Sequence, residues 1–179
     1  MPSLAEYVKT SSGVNLAKCF QCRKCSSGCP VVASMDITPS RMIRGILAGQ
    51  REQALNSRTI WLCASCYTCS TRCPNDIDFA RVADCLRTLS VRQRRPAALE
   101  RIAALHREFL ADVRRRGRIH EPTFLSWFKL RTLDFFTDLE LGIAMFFKGK
   151  LPLFPRGVKD RKAIRAAFEL EKKAAAESK

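Results

Sequence analysis

Apolar side chains recur along this chain at steps of three and four, the spacing of one helix face, and no stretch alternates convincingly with the period of two that marks a strand. Met42, Ile43, Ile46 and Leu47 form one such face. Thr38-Pro39 reads as an N-cap followed by proline at the first helical position, and Gly49 as the stop. A shorter helical piece covers Glu52 to Asn56. Asn75-Asp76-Ile77-Asp78 caps the next helix, whose stripe is Phe79, Val82, Leu86 and Leu89. Pro96 opens another, with Ala98, Ile102, Leu105, Phe109 and Val113 in step, and Gly117 ends it. Residues 1–18 read as a partly helical lead-in, and Asp160 to Lys179 as a polar helix that frays. The predicted fold class is all-α.

Aromatic and aliphatic residues crowd the stretch from Phe124 to Phe147, which is followed by a loop, Leu151-Pro152-Leu153-Phe154-Pro155. Lys129, Arg131, Asp134, Asp138 and Glu140 interrupt that stretch too often for a transmembrane segment. It is expected to be a buried helical hairpin or an interface helix.

A chain of 179 residues suggests one domain, or one with an appendage, and 46% hydrophobic with 27% charged residues suits a folded protein. The net charge of +15 implies an acidic partner, whether protein, nucleic acid or membrane surface. The excess is uneven, with ten arginines against three acids between Arg87 and Arg118. That stretch is expected either to dock an acidic protein or to be a solvated basic helix face. Met1 to Glu6 carries no basic n-region and no apolar h-region, so a cytoplasmic location is expected. Nine cysteines in that setting point to metal rather than disulfides.

Eight of the nine obey one rule twice. Cys19, Cys22, Cys25 and Cys29, followed by Pro30, have the spacing C-x2-C-x2-C-x3-C, and so do Cys63, Cys66, Cys69 and Cys73, followed by Pro74. This is the bacterial ferredoxin run for [4Fe–4S] clusters. Three thiolates on a tight loop reach three irons of one cubane, while the fourth, before a proline that turns the chain, is aimed at the other cluster. The first cluster is therefore assigned Cys19, Cys22, Cys25 and Cys73, and the second Cys63, Cys66, Cys69 and Cys29. The duplication suggests two cluster loops packed about a pseudo-twofold axis. Paired zinc sites share the C-x2-C element, but not the third cysteine and the terminal Cys-Pro.

Phe20, Val31, Val32, Ile60, Trp61, Leu62 and Tyr67 are expected to exclude water from the clusters. Ser26, Ser27, Ser65, Thr68, Ser70 and Thr71 offer small side chains and amide groups to the sulfurs. Arg23, Lys24 and Arg72 either raise the cluster potentials or are ordinary surface charge. Cys85 reads as a small buried hydrophobe, and His106 and His120 as surface or packing residues. No catalytic constellation occurs: there is no G-x-G-x-x-G, no P-loop and no nucleophile elbow.

A helical insert, rather than short strands, separates the two runs. In this the chain resembles the α-helical ferredoxin family of succinate dehydrogenase-type iron–sulfur proteins and their relatives. Ile60-Trp61-Leu62-Cys63-Ala64-Ser65-Cys66-Tyr67-Thr68-Cys69, Arg72-Cys73-Pro74, Pro39-Ser40-Arg41-Met42-Ile43-Arg44 and Leu86-Arg87 are similar to the C subunit of heterodisulfide reductases in its soluble form. The likeness covers residues 15–92, and Gly149 to Pro155 adds a weaker match. No [2Fe–2S] segment precedes Cys19 and no adjacent Cys-Cys occurs, which separates the chain from other branches.

The resemblance implies an α-helical ferredoxin domain over 1–92 and a helical extension for partner docking over 93–179. It implies a non-catalytic electron-transfer component of a hetero-oligomer. Electrons would pass through it from the flavin iron–sulfur A subunit to the disulfide-reducing Cys-Cys-Gly B subunit, with no nucleic-acid partner. The alternatives are an iron–sulfur component of another oxidoreductase complex, an iron–sulfur nucleic-acid-binding protein, and a purely structural metal module. Arginines not interleaved with stacking aromatics weigh against nucleic acid.

Overall fold

The computed structural model describes residues 3–133, 137, 139–150, 158 and 160–177. The chain divides into two compact units, Met1–Glu100 and Arg101–Lys179. The described residues are helices and turns without a strand, so the fold is all-α.

The first unit opens with α1 (Leu4–Ser12), which starts on a capping box: the Ser3 hydroxyl accepts the Glu6 amide and the Glu6 carboxylate accepts the Ser3 amide. The cluster runs contain α2 (Lys24–Ser27) and α6 (Thr68–Thr71), each a single turn. Between them lie α3 (Pro39–Leu47), α4 (Arg51–Leu55) and α5 (Thr59–Leu62). Helix α7 (Phe79–Arg92) follows the second run, capped by the Asp78 carboxylate on the Arg81 amide. As predicted, Pro39 begins α3 and Gly49, at φ 78°, ends it.

Helix α7 is the spine of this unit, with α1, α4, α5 and α6 packed on it. Its stripe, Phe79, Val82, Leu86 and Leu89, is buried among Leu4, Val8, Leu16, Met42, Ile43, Ile46, Leu55 and Ile60. Each fully buried side chain of this size contributes about 1.5–3 kcal/mol. The capping box makes the lead-in a core helix, since Leu4 and Val8 face inward.

Pro96 does not open a helix. It follows a Schellman end to α7, in which Arg94 sits at φ 53°, its amide donates to the Val91 carbonyl and the Arg95 amide reaches back to Ser90. The next helix, α8, begins at Glu100 and runs to Arg116.

The second unit takes up α8, α9 (Glu121–Thr132), α10 (Leu139–Phe147) and α11 (Arg161–Glu177). The buried face of α8 is Ala103, Ala104, Glu108 and Asp112 rather than the expected stripe, and Phe109 is exposed. Two acids can face inward because they are paired. Glu108 meets Arg131 at 2.9 Å, and Asp112 holds Arg116 and accepts the His120 amide at 2.7 Å. His120 is thus buried as a packing residue at the start of α9. The predicted buried hairpin is not found: Leu125, Trp127, Leu130, Leu141, Phe146 and Phe147 are exposed. The loop expected at Leu151 to Pro155 lies outside the described residues. Among the described residues no helix is long and apolar enough to cross a membrane.

Candidate metal centre

The two cysteine runs have the same backbone. The third and fifth residues of each are left-handed: Gln21 and Arg23 at φ 59° and 64°, Ser65 and Tyr67 at φ 50° and 59°. Each such residue costs an L-amino acid roughly 1–2 kcal/mol, so the surroundings must hold it. The reversals coil the loop around its own cysteines, and residues six to nine then close into α2 or α6. The serine after each third cysteine ties its loop to the helix that follows. The Ser26 hydroxyl accepts the Ser40 amide at 3.0 Å in α3, and the Ser70 hydroxyl donates to Asp78, the cap of α7, at 2.8 Å.

Helices α2 and α6 pack on each other, so the two loops meet. At that junction the tenth residues of the two runs, Gly28 and Arg72, lie together. A Cβ on Gly28 would stand 2.5 Å from Arg72 Nη1, so glycine is what lets the guanidinium lie across the loop.

Two small cavities flank the junction. Cys63, Cys66, Cys69 and Cys29 line one, with Val31, Met35, Pro39 and Ala80 among its walls. Cys19, Cys22, Cys25 and Cys73 line the other, with Ser40, Ile43 and Ile77. Each cavity therefore gathers three thiols from one run and the last thiol of the other. Phe79, buried to 2% exposure, lines both and stands as their common wall. All nine cysteines are free thiols, and Cys85 lies apart, beside Tyr7 and Ser11 between α1 and α7. Four thiols around an apolar cavity fit a [4Fe–4S] cluster, whose four irons each take one.

Burial pushes the thiols of Cys25, Cys63 and Cys69 up, whereas the Thr68 hydroxyl and amide draw exposed Cys66 down. Binding iron has to displace the protons of those three, because the ligand is the thiolate. Of the expected shielding residues, Ile60 and Trp61 are buried, Tyr67 lines the Cys63 cavity though it is half exposed, and Phe20, 63% exposed, belongs to the surface.

Three residues that position the loops carry no mark of that role in the sequence. Phe79 reads there as one more member of a helical stripe. The Asp36 carboxylate accepts the amides of Ile37, Arg58 and Thr59 at 2.8–3.0 Å and the Thr59 hydroxyl at 2.7 Å. It thereby joins the segment after Cys29 to the start of α5, which leads into Cys63. Arg87, 12% exposed, donates to the Cys63 carbonyl at 3.2 Å and the Ser65 hydroxyl at 3.4 Å, and pairs with Asp84 at 2.9 Å. Nothing in a run of arginines distinguishes the one that is turned inward.

The arrangement defines a two-cluster iron–sulfur protein, and residues 15–77 match the 4Fe-4S dicluster domain family, a domain that carries two [4Fe–4S] clusters. The particular likeness is to the C subunit of heterodisulfide reductases. The chain is 29% identical over 86 residues to the C subunit of the ferredoxin:CoB-CoM heterodisulfide reductase of Methanosarcina acetivorans, covering 48% of this chain and 34% of that one. It is 31% identical over 78 residues to the C subunit of the H(2):CoB-CoM heterodisulfide,ferredoxin reductase of Methanothermobacter marburgensis, covering 44% and 42%. The C subunit of the Methanosarcina mazei ferredoxin:CoB-CoM heterodisulfide reductase is 33% identical over 86 residues, covering 48% and 53%. The chain thus spans about half or less of these relatives' length.

Proposed function

We propose that this protein is the electron-transfer iron–sulfur component of a heterodisulfide reductase-type complex, a cytoplasmic hetero-oligomer. In that assembly it receives electrons from a flavin iron–sulfur protein and delivers them to a disulfide-reducing Cys-Cys-Gly protein. The observation that carries this reading is the pair of four-thiol cavities, back to back across Phe79. Cys19, Cys22, Cys25 and Cys73 hold one cluster, and Cys63, Cys66, Cys69 and Cys29 the other. When bound, each cluster supplies one-electron redox chemistry at iron fully ligated by thiolate.

The residues around them do the rest. Ile43, Ile77, Met35, Val31 and Phe79 keep water from the thiolates. Arg87 and Asp36 fix the loop that carries Cys63, Cys66 and Cys69. Residues 93–179 form a helical extension that docks the other proteins of the complex. Ligation of every iron leaves no open coordination position, so the chain alone turns over no disulfide.

Iron analysis and electron paramagnetic resonance of anaerobically purified protein test this. About eight irons and two signals that interact on full reduction are expected, by the four-iron count of each site. Cys29→Ala should perturb the signal that Cys66→Ala perturbs, and Cys73→Ala the signal that Cys22→Ala perturbs. Zinc in place of iron, or multiple turnovers of a disulfide by the isolated chain, would overturn the reading.

A further inference from the structure

The two cavities reach the surface under different charges. Cys22 and Cys66, the second cysteine of each run, are the exposed members of their sets. Close to Cys22 along the chain are Lys18, Arg23 and Lys24, all exposed, with Arg23 lining the cavity, and the Arg72 guanidinium is laid over Gly28 of the same loop. None of these four has an ion-pair partner among the described residues. The acids on that side are Asp78, already paired with Arg81 and hydrogen-bonded to Ser70, and Asp76, which shares a hollow with Lys18. The balance stays positive. Phe20, next to Cys19, adds an exposed ring.

Around Cys66 the neighbours are Ala64, Tyr67 and Thr68. Arg87, the cation beneath that loop, is neutralised by Asp84. The arginine stretch that follows is also largely engaged within the molecule: Arg95 with Glu52, Arg114 with Glu169, Arg116 with Asp112, and Arg115 over Trp127.

We propose that the Cys22 face docks an acidic redox protein, seated on Phe20 and ringed by Lys18, Arg23, Lys24 and Arg72. The proposal rests on the electron-carrier reading and adds which cavity meets a partner of which chemistry. Electron exchange needs close approach but no lasting complex. Weak redox encounters are accordingly small, and complementary charge supplies their rate and orientation. One electron leaves the partner's centre as one enters this protein's, and no bond is made or broken. Unpaired cations cost nothing to expose, and an acidic partner gives them counter-charges that the chain does not.

The test uses the cluster-loaded protein and an oxidised acidic ferredoxin as probe, so that binding is read without electron flow. Association measured by biolayer interferometry should slow at least tenfold between about 20 and 300 mM salt, the behaviour of steered encounters. Arg23→Glu with Lys24→Glu should slow it at least tenfold at low salt with iron content unchanged, while Gln53→Glu, exposed on α4 outside both runs, stays within twofold. Lys18→Glu lies outside both runs and repeats the test if reversal inside the loop lowers iron. Salt-independent binding, or equal loss from Gln53→Glu, would overturn the docking face. Reduction by methyl viologen radical, which needs no protein docking, separates the two readings. Clusters that viologen reduces but that bind no ferredoxin leave the carrier standing and the docking face refuted, whereas clusters that viologen cannot reduce refute the carrier itself.

Discussion

Asp36 carries no sulfur and lies outside both cysteine runs, yet it fixes the approach to Cys63. Burial alone would raise its carboxyl, but the amides of Arg58, Thr59 and Ile37 and the Thr59 hydroxyl together hold it below the usual carboxylate range. A group depressed in the folded state contributes stability that is full above its unfolded value, about 3.9, and is lost as pH falls through the lower folded value. Asp36→Asn should therefore melt at lower temperature than the wild type at pH 6, and the gap should close as pH falls below 4. Removing a cap of this kind costs about 0.5–2 kcal/mol. The sequence carries no warning of it, because a capping motif is local and the amides of α5 lie 22 and 23 residues from the acid they use. Arg87 is the other hidden support. Arg87→Met removes the Nη2 group that reaches the Cys63 carbonyl, the Ser65 hydroxyl and Asp84. It should broaden or shift the resonance of the cluster held by Cys63, Cys66 and Cys69 and leave the other unchanged, as paramagnetic resonance of the reduced variant would report.

At the scale of elements, helix ends written in glycine or proline-after-cap are legible in the sequence and those written otherwise are not. Gly49 announces the end of α3, and Thr38-Pro39 its start. The end of α7 uses the same geometry with arginine at the left-handed position, so Pro96 reads as the start of a helix when it is the sequel to one. Arg94→Gly should relieve that strain and raise stability by about 1 kcal/mol, measurable as a higher denaturation midpoint of the anaerobic, cluster-loaded protein. The face of α8 misleads for a related reason. Periodicity assigns acids to solvent, whereas Glu108 and Asp112 are buried against Arg131, Arg116 and the His120 amide. The cysteine loops are the most legible elements of all, since their spacing encodes a geometry that few other chemistries share. What spacing does not convey is the repeated left-handed pair in each loop, carried here by Gln21, Arg23, Ser65 and Tyr67, where glycine would be the signal.

For the whole molecule, a core clad in single-turn helices implies that iron and fold come together. Helices α2 and α6 have four residues each, far below the length at which a helix stands alone. Anaerobic removal of iron with a chelator should thus cost helical circular dichroism as well as visible absorbance. A chain that keeps its full helical signal without iron would show that the apolar core suffices. The exchange of the last cysteine between the two cavities has a further consequence, for the chain as a polymer. In the ligation proposed above, each cluster would be a knot tying a residue of one run to three of the other, closing the long loop between Cys29 and Cys63 and the longer one between Cys25 and Cys73. Loops of that length, closed by a covalent link, restrict the unfolded chain by about 3–4 kcal/mol apiece. The two loops overlap along the sequence, so the first knot shortens the search for the second. Loading is then expected to be cooperative, so that loss of one cluster weakens the hold on the other.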